Sequence, residues 1–253
     1  MTLLRIWILV VTISLFGGGV SASARTEQSI LENHGAVSAP PLVILYSQAP
    51  STSGGLLQSS LRDPDGSDTD QWAWDGFRLG STQAITEVKW RGGYDPVRRG
   101  SGGPVADFTI SVFASIPSGI QPDISKPPLV HYEVGSNADE MPAEVLGGVQ
   151  TYDYRYALPN PFQAAAGTKY WVQIEAYQPG APDWGLSAAT GGDGQYFRRL
   201  AGDGFDYQLA RGDAAFALAG PGTDGGYRLY LPGVSHTYSA NSPAVSLAGP
   251  THR

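Results

Sequence analysis

No cysteine occurs anywhere in the 253 residues, which excludes disulfides, thiolate nucleophiles and zinc–thiolate centres together. Lysine is scarce, and acidic residues outnumber basic ones 23 to 16, giving a formal charge of −7. Nucleic acid and anionic membranes are bound through basic residues facing phosphate, so neither suits this chain as a partner. Acidity of this kind suits solubility or divalent cations. The G-x-S-x-G elbow and the H-E-x-x-H helix are missing as well, and with them the common signatures of serine hydrolases and metalloproteases. Of four histidines, His34, His236 and His252 sit towards the ends of the chain. Only His131 falls in a patterned segment, beside Glu133, and a Ser-His-Asp site would have to be built around it.

Long apolar runs are confined to the start. "MTLLRIWILVVTISLFGGGVSASA" joins one arginine, an apolar stretch from Ile6 to Phe16, and small residues ending at Ala22-Ser23-Ala24. This is the three-part form of a secretory signal over 1–24, cleaved after Ala24. The run is shorter than the roughly 20 residues a spanning helix needs. The expectation is an exported, extracellular chain without a membrane span once the leader is removed.

What the chain has in abundance is period-2 alternation between turns rich in glycine (33) and proline (19). "DFTISVFAS" places Phe108, Ile110, Val112 and Ala114 on one face, against Asp107, Thr109, Ser111 and Ser115. "TYDYRYAL" sets Tyr152, Tyr154, Tyr156 and Leu158 against Thr151, Asp153 and Arg155. "KYWVQIEAY" turns Tyr170, Val172, Ile174 and Ala176 inward and leaves Trp171, Gln173, Glu175 and Tyr177 outward. Such alternation marks half-buried strands of antiparallel sheets. Further strands are expected at 42–47, 72–79, 84–91, 129–134, 184–188, 195–200, 205–210 and 214–219, with no long helix. Gly192-Asp193, Gly202-Asp203 and Gly212-Asp213 recur every ten residues, each before an aromatic-bearing run, and read as turns of a meander. The fold class is all-β: a two-sheet antiparallel sandwich, jelly-roll-like. Residues 42–220 form the domain, between a lead-in at 25–41 and a linker and tail at 221–253.

Several segments together resemble a bacterial secreted β-sandwich domain of unknown function, found in exported and cell-surface proteins with varied C-terminal anchors. They are "WAWDGFRLGSTQAITEVKWRGGY", "FTISVFAS", "YDYRYALPNPFQAAAGTKYWVQIEA", "WGLSAATGGDGQYFRR" and "GDAAFALAG", in that order over about residues 70–220. The resemblance implies a fold and a location at or outside the cell surface, with no catalytic set. The tail departs from the best-known members: no hydrophobic segment is followed by basic residues, and "LPGVS" is an incomplete sortase motif.

Four stretches carry candidate chemistry. "DPDGSDTD" brings Asp63, Asp65, Asp68 and Asp70 close together, and these are hard oxygen ligands of the kind calcium takes. The spacing does not fit an EF-hand, and "DPDG" is itself turn chemistry, so a calcium loop and a solvated turn both stand. Asp75 faces inward if Phe77 does; it is then a structural anchor or a further metal ligand. Trp72, Trp74, Trp171 and Tyr177 fall on outward positions and Trp184 begins a later strand. Exposed aromatics beside polar groups could stack on a glycan, unless loops or strands cover them. Glu87, Glu133, Asp153 and Glu175 also face outward, and two of them at the right separation would make a glycan hydrolase. "RGD" at 211–213 occupies a turn of the ten-residue ladder, which accounts for it without a receptor. The leading expectation is a non-enzymatic sandwich, structural or binding an extracellular partner such as a glycan. The hydrolase is the alternative.

Overall fold

The computed structural model describes residues 41–62, 70–97, 104–178, 180, 183–200 and 206–222. The leader, nearly all of the lead-in, the tail beyond Gly222, and Asp63, Asp65 and Asp68 therefore lie outside the described residues. Among those described there is no helix. The first eight strands are β1 (Leu42–Ser47), β2 (Ala49–Pro50), β3 (Leu56–Gln58), β4 (Ser60–Arg62), β5 (Trp72–Phe77), β6 (Gln83–Tyr94), β7 (Asp107–Ala114) and β8 (Val130–Glu133). The others are β9 (Met141–Leu146), β10 (Val149–Ala164), β11 (Tyr170–Gln178), β12 (Trp184–Thr190), β13 (Gln195–Leu200), β14 (Asp206–Arg211), β15 (Asp213–Ala214) and β16 (Phe216–Pro221).

They form two sheets that pack face to face. One runs β1-β16-β6-β10-β9, with β12 joined to β6 and carrying β2, β3 and β15; the other runs β14-β13-β5-β11-β7-β8, with β4 alongside β11. Pairing is antiparallel except for β4, which runs parallel to β11. This is the all-β sandwich that the alternation predicts. The inward sets are as expected: Phe108, Ile110 and Val112 from β7, Tyr154 and Leu158 from β10, and Tyr170, Val172, Ile174 and Ala176 from β11 share one core.

Aromatic rings fill its centre. Trp90 stacks on Tyr154 with centroids 5.5 Å apart, and Phe108 from the opposite sheet meets both Trp90 (5.2 Å) and Trp184 (5.0 Å) edge-on. Trp184 is fully buried, and its indole N–H donates to the Tyr154 hydroxyl at 3.0 Å. The large ring area leaves water while its one polar group stays bonded, as a buried indole requires. The expectation that Trp184 contacts a partner is therefore corrected: it is a core residue.

Strands that the alternation did not reveal are short or lie at an edge. β9, "MPAEVL", is mostly exposed, and its Pro142 suits an edge strand, where one missing N–H costs little. In β10 the register against β6 shifts between Ala157 and Phe162. Pro159 and Pro161 fall within that gap, so one long alternating run continues past a bulge.

Candidate functional site

The outer face of the second sheet carries the polar side chains that alternation on β11 and β7 sends away from the core. Register fixes their rows. Leu61, Tyr177 and Asp107 lie side by side, because Tyr177 pairs with both of the others. Thr109 pairs with Glu175 on one side and Glu133 on the other. Ser111 likewise stands between Gln173 and His131. Leu61, Asp107, Thr109, His131, Glu133, Glu175 and Tyr177 enclose an open cleft of about 350 Å³.

Glu175 is the central group of this cleft. The Trp72 indole donates to its Oε1 at 2.9 Å and the Gln173 amide to its Oε2 at 3.3 Å. Burial pushes its carboxyl up to about 7 against those interactions. The Trp72 hydrogen bond, His131 and Arg199 pull downward, while Asp70 adds to the rise. A carboxyl that changes charge near neutrality inside a cleft is a common feature of functional sites.

Beside it runs a hydrogen-bonded chain. The Ser111 hydroxyl meets His131 Nδ1 at 2.8 Å, and His131 Nε2 meets Glu133 Oε1 at 2.9 Å. Both ring nitrogens are engaged, one by the hydroxyl and one by the carboxylate, which fixes the orientation of the ring. The serine is buried beneath the ring, so the chain orients the imidazole and does not present an exposed nucleophile.

Next to the cleft the same face forms a second, smaller core of Trp74, Phe113, Trp171 and Phe197, with Trp72 and Tyr207 packed on it. Here the expected outward aromatics need correction. Trp74 and Trp171 do occupy the outer face, but they are 3% and 0% exposed. Trp74 lies among Trp72, Phe113, Phe197 and Tyr207 at centroid distances of 5.8–6.3 Å. The Lys169 ammonium lies 4.3 Å from the Trp171 ring centroid, and the Trp171 indole donates to the Ser115 hydroxyl at 3.1 Å. Neighbours on the sheet cover them, so neither can stack on a ligand. Trp72 is half-buried, with the Arg199 guanidinium over its ring at 4.6 Å. Tyr177 is 37% exposed, as expected, and lines the cleft.

Of the four outward carboxylates, only Glu133 and Glu175 come together. Glu87 pairs with Lys89, and Asp153 is held by Arg91, on the first sheet. Asp107 and Thr109 complete the cleft; alternation shows them facing outward, but their position beside Glu175 depends on strand order. Asp70 acts on Glu175 at the outer face. Asp75 points inward as expected and is 2% exposed; its carboxylate neighbours are Asp193 and Asp213. Within "RGD", Asp213 is buried, so the tripeptide cannot present its acid to a receptor.

Fold and site together define a two-sheet β-sandwich with an acidic cleft on the outer face of one sheet. Residues 44–191 match the family described as a domain of unknown function, DUF7901, and the chain belongs to that family. No curated protein matches the chain. The matched span contains every residue that lines the cleft, whereas Asp193, Asp213 and strands β13 to β16 lie beyond it.

Proposed function

We propose that this is an exported sandwich domain that binds an extracellular glycan in the cleft of its second sheet. The observation carrying this reading is the cleft's composition: an exposed tyrosine beside three carboxyl groups, a threonine hydroxyl and an imidazole. Sugars offer hydroxyl donors to carboxylates and flat C–H faces to aromatic rings, and this lining supplies both. Acidic walls favour neutral or amino sugars and repel uronic acid polymers. Export rests on the form of residues 1–24. Among the described residues, no helix is long and apolar enough to cross a membrane.

Retention of the full chain on a panel of insoluble and soluble polysaccharides tests the reading. Binding should weaken at least about tenfold in Tyr177→Ala, the loss of about 1.4 kcal/mol expected from one stacking contact. If no neutral or amino-sugar polymer is retained, the glycan reading fails.

The hydrolase reading retains one specific support. Glu175 holds its proton up to about pH 7, and Glu133 lies two strands away across Thr109, about 10 Å between backbones. Inverting glycosidases place an acid and a base carboxyl about 6.5–9.5 Å apart. Release of reducing ends, abolished in Glu175→Gln with binding intact, would establish turnover. Binding without release leaves the recognition module.

A further inference from the structure

Lysine is scarce in this chain, yet Lys169, just before β11, is buried, with its side chain 8% exposed. A buried ammonium needs a partner, and this one reaches its partner across a strand. Trp171 of β11 pairs with Gly76 of β5, and Tyr196 of β13 pairs with Asp75 on the far side of β5. The lysine stem crosses β5 at Gly76. A Cβ there would stand 2.5 Å from Lys169 Cε and 3.0 Å from Nζ, so only glycine leaves the passage open. At its end Nζ lies 2.5 Å from Oδ2 of Asp193, in the turn between β12 and β13.

This contact also has the geometry of a reaction. A carboxyl C–O bond is about 1.23 Å long, which puts Nζ at most about 3.7 Å from the Asp193 carboxyl carbon. Groups held about 3–3.5 Å apart react as if present at about 10⁵–10⁸ M. Oδ1 of the same carboxyl accepts from the Gln195 backbone N–H at 3.2 Å, a donor placed to hold the oxygen of a tetrahedral adduct. The Trp171 ring, its centroid 4.3 Å from Nζ, covers the nitrogen on one side. Asp75 stands close, with a carboxyl oxygen within 4.8 Å of one on Asp193, a span that proton transfer crosses through one water. Burial pushes the Asp75 carboxyl up to about 8, and Asp213 and Asp193 add to the rise against backbone N–H bonds from Ala214 and Gly76. It therefore holds a proton at neutral pH beside the reacting pair.

We propose that Lys169 and Asp193 condense to an amide, a covalent cross-link that fastens the start of β11 to the β12–β13 turn across β5. Nζ bonds to Cγ, and the bond from Cγ to Oδ2 breaks. The ammonium gives up two protons, which leave with Oδ2 as water. One positive and one negative charge cancel, and nothing is oxidised or reduced. The Asp193 side chain is 49% exposed, which gives the water a way out. In a chain without cysteine, the amide closes the loop from Lys169 to Asp193 as a disulfide would. The cross-link does not depend on the glycan reading.

Intact mass spectrometry of the purified, denatured full chain reads the bond directly. The unaltered chain should weigh one water less than its sequence requires, and Lys169→Arg and Asp193→Ala should each show the full mass. Proteolysis of the unaltered chain should release a branched peptide joining the segment with Lys169 to the segment with Asp193. A chain at its full sequence mass overturns the proposal. So does a lost water that survives Lys169→Arg, because Asp193 before Gly194 can lose the same mass by closing an imide on its own backbone. If either variant fails to fold, the branched peptide decides alone: its presence establishes the bond and its absence overturns it.

Discussion

Glu175 shows how a single side chain ties stability to the site. Its folded carboxyl lies near 7 and its ordinary value near 4.5, so the fold favours the protonated form. The stabilisation is fully present below about pH 4.5, falls as pH climbs through about 7, and is absent above. Burial sets this rise and Asp70 adds to it, against the opposing pull of the Trp72 hydrogen bond, His131 and Arg199. Glu175→Gln keeps the shape and removes the charge. We expect it to flatten the pH dependence of the melting midpoint between about 4.5 and 7, and to stabilise the protein at pH 8. The gap between these two values sets an upper limit on the order of 3 kcal/mol. Denaturant titrations of both proteins at pH 4.5 and pH 8 check this. Equal slopes with pH would show that Glu175 is as well solvated folded as unfolded.

Close approach governs the elements, and β6 against β12 is the clearest case. Gly92 pairs with Leu186 where β6 meets β12, and a Cβ there would enter the Trp184 ring. Trp184 has no room to withdraw, because Phe108 and Tyr154 pack on it and its N–H is engaged. Gly92→Ala should therefore cost about 1–3 kcal/mol, the usual range for overpacking, read as a lower urea midpoint with an unchanged slope. The glycine was visible in the sequence; its reason was not, since it depends on which strand lies opposite. The same limit applies at the candidate site. Alternation correctly assigned faces to Trp74, Trp171, Glu175, Tyr177 and Asp75, because a pleated strand leaves no other choice. It could not give the exposure of Trp74 and Trp171, because Phe113 and Phe197 reach the same patch from strands distant in sequence. Nor could it show that Asp193 and Asp213 meet Asp75, since a Gly-Asp turn reads alike whether its acid faces solvent or a second acid.

At the scale of the molecule, chain order and spatial order diverge in a way that fixes what can be removed. β16, the last described strand, lies between β1 and β6 in the first sheet. Phe216 and Leu218 enter the main core, and Gln48 bonds back to Phe216 through the backbone at 2.9 Å. The family match ends at residue 191, before β13 to β16. A chain cut there loses the strand that joins β1 to the sheet, and β5 loses its partner β13. It also leaves the β16-facing edge of β6 unpaired and uncovers the aromatic patch around Trp74. Burial of Phe and Leu side chains is worth about 1.5–3 kcal/mol each, against a total stability for a domain of about 5–15 kcal/mol. Removal of Phe197, Phe216 and Leu218 together with their backbone pairing should exceed that margin. The expected outcome is that residues 25–191 give no cooperative melt and no dispersed amide spectrum, whereas residues 25–253 give both. A cooperative melt from the shorter chain would mean that strands β1 to β12 close a core without β16, and that the last four strands are an addition to a sandwich already complete.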